Sequence, residues 1–387
     1  MTNWETKKLG DICDFVRGPF GGSLKKNIFK PNGYAVYEQQ HAIYDQFDDV
    51  RYFIDEKKFN EMKRFELNSG DLIMSCSGTM GKIAIVPKNI KKGIINQALL
   101  KLRTSKEVSN VFLKLWMQSE SFQESLKKFS QGAAIQNVAS VAVLKNIEIP
   151  LPSLSEQQRI VAILDEVFTA ITRARINAEK NLQNVKQLFE SYLKTVFANK
   201  NEDWEEKTLN QISDNLDSKR VPITKNVRSN GSIPYYGASG IVDYVENYIF
   251  DEDLLCVSED GANLLARVYP IAFSISGKTW VNNHAHVLKF QNMTNQKFVE
   301  VYLNSIKLDD YVSGMAQPKL NQAMLNKIPI PFPPFKEQQT IVEKFDALSV
   351  ETKKLEAIYQ KKLADFEELK KSILQRAFNG ELTEMFV

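Results

Sequence analysis

His284 and His286 are the first place to look for chemistry, because they are two of only three histidines in the chain. On a strand, residues two apart share a face, and two imidazoles side by side are half of a zinc site. Zinc would also need a matching pair of Cys, His or acidic ligands close by in the sequence. None is there, so a packed or hydrogen-bonded pair is the better expectation. The third, His41, stands alone. Ser276-Gly277-Lys278-Thr279 ends like a phosphate-binding loop, but that motif requires glycine at position 272, which is Ala272. Gly81-Lys82 fails in the same way, with Cys76 at the glycine position and Ile83 after the lysine. Cys13, Cys76 and Cys256 lie far apart without CxxC spacing. An odd, sparse set reads as reduced thiols, and the first residues lack a basic and apolar leader, so a cytoplasmic protein is expected. No apolar run approaches the ~18 residues of a membrane span.

Phe332-Pro333-Pro334-Phe335 resembles the aromatic-Pro-Pro turn with which amino-methyltransferases hold their target base. In that turn an Asn or Asp precedes the prolines and accepts hydrogen bonds from the amino group under attack. Phe332 cannot do so. No GxSxG elbow, HExxH or catalytic-cysteine context is present. The expectation is a chain with no catalytic residue, no metal and no cofactor of its own.

The elements that must position any binding residues are repeated. Trp4-Glu5, Lys7, Leu9 and Ile12 recur as Trp204-Glu205, Lys207, Leu209 and Ile212. Ile147-Glu148-Ile149-Pro150-Leu151-Pro152 matches Ile328-Pro329-Ile330-Pro331-Phe332-Pro333. Glu156-Gln157-Gln158 then matches Glu337-Gln338-Gln339, and Ser191, Leu193 and Phe197 match Ser372, Leu374 and Phe378. The openings recur 200 positions on and the lead-in and helix matches share one offset of 181, a collinear series that indicates an internal duplication.

Each copy starts with an irregular part. Leu72–Ser75 and Lys82–Val86 read as strands, with Leu254–Val257 and Val287–Phe290 as their counterparts. Glu259-Asp260-Gly261-Ala262-Asn263 has no evident match in the first copy. A long helix follows each proline-rich lead-in, the first opening on a capping box of Ser155 and Gln158. Ile341, Phe345, Leu348, Thr352, Leu355, Tyr359, Lys362, Phe366, Leu369 and Ile373 form a heptad seam. Ile160, Leu164, Val167, Ile171, Ala174, Ala178, Leu182, Val185, Phe189 and Tyr192 form the other apolar stripe, which slips register at 174–178–182. The expected fold is α+β, with two globular domains joined by two long helices packed as an antiparallel coiled coil, and an internal pseudo-twofold repeat. The boundaries are 1–152, 153–199, 200–335 and 336–387.

Net charge is +3. That total hides +6 over residues 1–150 and −4 over residues 201–335. Two matched frames carrying dissimilar domains suit a device that recognises two different things.

The whole chain resembles the specificity subunits of type I restriction–modification systems. The resemblance rests on the Trp4 and Trp204 openings, on Ser75-Cys76-Ser77-Gly78-Thr79-Met80-Gly81-Lys82, and on Ser258–Asn263 with Trp280–His286. Most specific are the Ile-Pro-Leu-Pro and Ile-Pro-Ile-Pro lead-ins, each followed by Glu-Gln-Gln and a long helix ending near Ala-Phe. Membership implies two target-recognition domains that each read half of a split double-stranded DNA site. It also implies two adenine-N6 methyltransferase subunits as partners, which would carry S-adenosylmethionine, and motor–nuclease subunits in the restriction assembly. No membrane partner is implied. Loop and turn positions suited to DNA contact are Arg17, Lys25, Lys26, Thr79, Lys82, Gln136 and Asn137 in the first domain. In the second they are Lys219, Arg220, Lys278, Gln317 and Lys319. The competing readings are a coiled-coil scaffold that never touches DNA and a self-contained DNA-modifying enzyme.

Overall fold

The openings and the proline-rich lead-ins, the best-matched segments of the repeat, are strand partners. In a computed structural model describing residues 4–130, 140–314 and 316–382, Glu5–Lys8 runs antiparallel to Glu148–Leu151, with Glu5 opposite Leu151. Glu205–Lys207 pairs with Ile330–Phe332 in the same register, Glu205 opposite Phe332. Both ladders have only two strands, so Pro150 and Pro331 cost no pairing on a second side.

Each lead-in delivers the chain into a long helix, Leu154–Ala198 in the first copy and Phe335–Phe378 in the second. Ser155 does not cap the first helix, because it already lies in the first turn. Ser153 takes that role, its Oγ accepting the Glu156 N–H at 3.4 Å. Gln157 is fully buried, its Nε2 donating to the carbonyls of Pro152 and Glu107 at 3.0 Å each. Its Oε1 accepts the Ser109 N–H at 2.8 Å. Gln338 repeats half of this clasp: Nε2 donates to Pro333 O at 2.8 Å, while Oε1 has no partner among the described residues.

Two units are distinguished, residues 1–177 with 362–387, and residues 178–361. Each contains the start of one long helix and the end of the other, so the helices are antiparallel within each. In the first unit Arg175 pairs with Glu367 at 2.8 Å and the Lys370 ammonium lies 5.1 Å from the Phe168 ring. In the second, the Phe189 and Phe345 rings lie 5.2 Å apart.

The stripe of the first helix is buried or half-buried at all ten expected positions. In the second, seven of the ten heptad positions are buried or half-buried and three are not. Leu355, Lys362 and Leu369 are exposed, while Glu356 and Leu363 turn inward and Leu374 is buried. The inward positions Ile341, Thr352, Leu363 and Leu374 are eleven apart, as are Ile160, Ile171, Leu182 and Leu193 in the first helix. An eleven-residue repeat is about 3.67 residues per turn, nearer the natural helix than the 3.5 of a heptad, so the side-chain rows stay aligned without left-handed overwinding. Thr352 is tolerated in the seam because its hydroxyl donates to Leu348 O at 2.9 Å on its own helix.

The first head carries a sheet ordered Cys13–Arg17, Leu99–Thr104, Leu72–Ser75, Ile83–Ile85, all antiparallel. A smaller sheet contains Tyr34–Tyr37 parallel to Gly93–Ile95. The second head repeats both features. Its main sheet runs Ser213–Asn215, Ala285–Phe290, Leu254–Ser258, Ala272–Ile275, and Ile233–Gly237 lies parallel to Lys278–Val281 in a second sheet, here also of four strands. Ala285–Phe290 therefore corresponds to Leu99–Thr104, and the match expected with residues 82–86 is wrong. Both cores continue onto the long helices, through Phe112 against Phe378 at 5.3 Å and Phe197 against Tyr302 at 5.0 Å. No helix among the described residues is long and apolar enough to cross a membrane.

Gln157→Ala leaves one buried N–H and two carbonyls unpaired and should destabilise the chain by about 2–3 kcal/mol, with Gln338→Ala costing roughly half as much. Urea unfolding of the two variants measures the difference, and equal losses would disprove the unequal clasp. The same measurement separates the seams: Leu363→Ala should cost about 1–2 kcal/mol and Leu355→Ala less than about 0.5.

Candidate nucleic-acid interface

Overlaying the strand registers exposes one edge where the heads differ most. In the first head Phe15 faces Leu102, which faces Leu72. In the second Asn215 faces Leu288, which faces Leu255. Two residues further along the outer strands, Arg17 beside Leu100 becomes Asp217 beside His286. Continuing from Leu72 and Leu255, Cys76 becomes Glu259. The segment Glu259-Asp260-Gly261 thus does have a counterpart, Cys76-Ser77-Gly78, which its letters conceal.

In the second head this edge is a closed ionic network. Arg220 Nη1 donates to Glu259 Oε2 at 2.7 Å and to Ala285 O at 2.8 Å, and Nη2 approaches Asp217 Oδ2 at 3.4 Å. Asp217 also accepts the Val287 N–H at 2.8 Å and meets His286 Nδ1 at 2.6 Å. His286 is buried, and its Nε2 donates to Leu320 O at 2.8 Å. Lys319 Nζ completes the set, 3.2 Å from Glu259 Oε1. Burial alone would raise both carboxyls. For Asp217 the hydrogen bond and charge of His286 and the Val287 N–H outweigh it, and for Glu259 the bonds from Arg220 and Lys319 do, so both are held below the usual carboxylate range. Asp217, Glu259 and His286 are close enough together to ligate a metal, but Arg220 and Lys319 already supply the opposing charge.

The two histidines do not share a face. An Asn282 side chain accepts the His284 N–H at 2.8 Å, forming a turn before the strand begins at Ala285. His284 stays half-exposed, with Nδ1 2.8 Å from Asp260.

Of the residues expected at the second interface, Lys219, Arg220, Gln317 and Lys319 gather around this edge. Lys219 and Gln317 are exposed. Arg220 is a correction: its guanidinium is 12% exposed and bonded inward, because two carboxylates lie within its reach. The loop bearing Gln317 is held by paired bonds between Ser313 and Lys319, and Leu320 N donates to Glu259 O at 2.8 Å. Lys278 lies elsewhere, opposite Asp251 in the other four-stranded sheet of this head, with its ammonium 4.9 Å from the Tyr248 ring.

In the first head Arg17 ends its strand and lines a cleft with Lys58, Arg64 and Gln97, three residues that loop-based reasoning missed. Lys25 and Lys26 are exposed around a single 3-10 turn and do not line that cleft. Thr79 is exposed on the turn after Cys76, and its carbonyl accepts from Ser75 Oγ at 2.6 Å. Lys82 lines a separate cleft against Glu367, Lys370 and Lys371 of the second long helix. Gln136 and Asn137 lie outside the described residues. The three cysteines are buried; burial pushes the Cys13 thiol to about 12, and Cys76 to about 12 with Arg17 opposing, and raises Cys256 as well. Such thiols are poor nucleophiles.

The sequence profile of the type I restriction modification DNA specificity domain matches residues 1–180 and again 201–363. The chain belongs to the type I restriction–modification specificity subunits. A putative MjaX specificity subunit from Methanocaldococcus jannaschii is 25% identical over 98% of this chain and 94% of that protein. A putative specificity subunit from Haemophilus influenzae is 37% identical over 38% of this chain, a stretch spanning 37% of the relative's length. Among solved structures, the HsdS subunit from Thermoanaerobacter tengcongensis aligns at 18% identity with a TM-score of 0.66 over 98% of both chains. A chain from a study of type I R-M complex assembly and conformational transition aligns at 17% with a TM-score of 0.77 over 98% of both. Specificity subunits are a non-catalytic family.

Because Asp217 and Glu259 are depressed in the folded state, the unfolded chain takes up their protons first. The stability they contribute is therefore present above about pH 4–4.5, the unfolded carboxylate values, and lost as pH falls through the lower folded values. Asp217→Asn should destabilise this specificity subunit by about 3 kcal/mol at neutral pH, since His286 and Arg220 lose a buried partner. It should also flatten the acid limb of thermal melts recorded between pH 7 and pH 3. An unchanged limb would show that the network does not govern acid stability.

Proposed function

We propose that this specificity subunit reads a bipartite double-stranded DNA target, one head to each half-site, and positions adenine-N6 methyltransferase subunits over it. The observation supporting this is the pairing of an identical frame with divergent edges. Glu5 opposite Leu151 and Glu205 opposite Phe332 anchor both heads in the same register. At the edge of the sheet, Arg17, Cys76 and Leu100 in one head are replaced by Asp217, Glu259 and His286 in the other. A scaffold that bound two copies of one partner would have reason to keep those edges alike. Two different half-sites require them to differ, since base edges are distinguished by the donors and acceptors presented to them.

In this reading two methyltransferase subunits assemble on the repeated frame and bind S-adenosylmethionine, and motor–nuclease subunits join them for restriction. The helix pair serves as the spacer between half-sites, as subunit geometry does for dimeric readers. The gathered loop of Gln317 and Lys319 is the reading element of the second head, and the cleft bordered by Arg17 is where the first head meets its half-site.

Methylome sequencing of a strain lacking the gene tests this. One asymmetric, split motif should lose N6-methyladenine, and replacing residues 1–152 by another head should change one half of that motif only. Unchanged methylation at every motif in a strain whose methyltransferase partner is active would favour the scaffold reading instead.

A further inference from the structure

Phe20 is 93% exposed, the highest value for any large apolar side chain among the described residues. It is not the tip of a loose loop. A side chain at Gly18 would place its Cβ 1.8 Å from Asn96 O, so the chain is pressed against residues 96–99 there. Gly18 N donates to Leu99 O at 2.9 Å, Pro19 is buried, and Ser23 N donates to Phe20 O at 2.8 Å. The backbone on both sides of Phe20 is tied down while its ring stands in solvent.

The same ring borders the cleft that contains Arg17, Lys58, Arg64 and Gln97, whose apolar floor includes Phe15 and Met62. Glu61 is the single acidic residue in that lining, and it pairs with Lys58 at 3.1 Å. Among the described residues, neither Arg17 nor Arg64 has a carboxylate partner. An exposed aromatic ring beside two unpaired guanidinium groups matches a ligand with flat π-faces and closely spaced anionic oxygens. Nucleic acid has both. A protein partner would explain the ring, but it would leave two cations to be desolvated without an evident counter-charge.

We propose that Phe20 is a stacking wedge through which the first head unstacks and distorts a base step of its half-site, while Arg17 and Arg64 hold the flanking phosphates. This deepens the reading of the chain as a DNA-recognition subunit and depends on it. It assigns the first head a mechanical role in addition to base reading. The second head lacks the device: at the place of Phe20 stands Arg220, which folds inward onto Glu259, and the exposed apolar residues that follow, Val221 and Val227, carry no ring.

The test uses the specificity subunit assembled with its methyltransferase subunits, on duplexes carrying 2-aminopurine at successive positions of the first half-site. Fluorescence should rise on binding at one step. Phe20→Ala should abolish that rise and weaken binding about 10- to 100-fold, the range for loss of one aromatic–base stack, and Phe20→Trp should restore both. Arg17→Ala and Arg64→Ala should each lower the slope of log affinity against log salt by about one. Retention of the fluorescence rise and full affinity in Phe20→Ala would overturn the wedge. So would weakened assembly of Phe20→Ala with the methyltransferase subunits in sedimentation velocity, which would make Phe20 a protein contact. Failure of the unaltered assembly to bind its methylated motif would instead remove the DNA-recognition reading itself, and the wedge with it.

Discussion

Everything in this chain hangs on closing each head at its base. The strand that begins a copy must find the strand that ends it, some 140 residues later in the first copy and about 125 in the second, before the chain can leave as a helix. Closing a loop that long costs entropy, though the cost rises only slowly with length. The clasp repays it with a short ladder, a buried glutamine at the helix start and a tryptophan packed against the core. Once it is closed, the residues between are free to diverge, because the exit direction of the helix no longer depends on them. That separation of frame from head lets one half of a repeat become basic and the other acidic.

The helices impose a second constraint. In an antiparallel pair the start of one helix meets the end of the other, so a seam must serve two different neighbours along its length. Both helices meet this with the same eleven-residue spacing, in phase with the duplication, Ile160 corresponding to Ile341 and Leu193 to Leu374. A period near 3.67 residues per turn lets the inward rows follow the helix axis with little twisting. The slip noted at Ala174, Ala178 and Leu182 is therefore no defect in a heptad. It is one of the 4-residue steps that an eleven-residue repeat contains.

The frame was legible in the sequence because its letters are dictated by backbone requirements. Proline holds the lead-in extended, and glutamine must reach specific carbonyls. The second seam departs from its heptad at only three positions, and two of them, Leu355 and Leu369, satisfy the pattern equally well on paper; only burial distinguishes them from Leu363 and Leu374. The heads were illegible for a deeper reason. Their common topology is carried by main-chain pairing, which does not record side-chain identity, so Cys76 and Glu259 can occupy one place without resembling each other. The very stretch that found no match, Glu259 to Asn263, begins where the side-chain chemistry of the two heads diverges. His284 and His286 were correctly expected to be hydrogen-bonded, but their partners Asp260 and Asp217 lie 24 and 69 residues away. No local pattern announces such pairs.

The charge difference between the heads also changes meaning at the level of side chains. The acidic balance of the second head does not present a bare negative surface at its edge, since Asp217 and Glu259 are enclosed by Arg220, Lys319 and His286. Their depressed carboxyls show attraction winning over desolvation within the fold. Arg220 and Lys319 are engaged by carboxylates of the same fold, which leaves Lys219 as the exposed cation at this edge without a carboxylate contact among the described residues. In the first head the opposite holds: Arg17 and Arg64 stand without carboxylate partners among the described residues. An ion pair formed inside one head is unavailable to DNA, so the way each head folds its charges sets how salt-sensitive its contact can be.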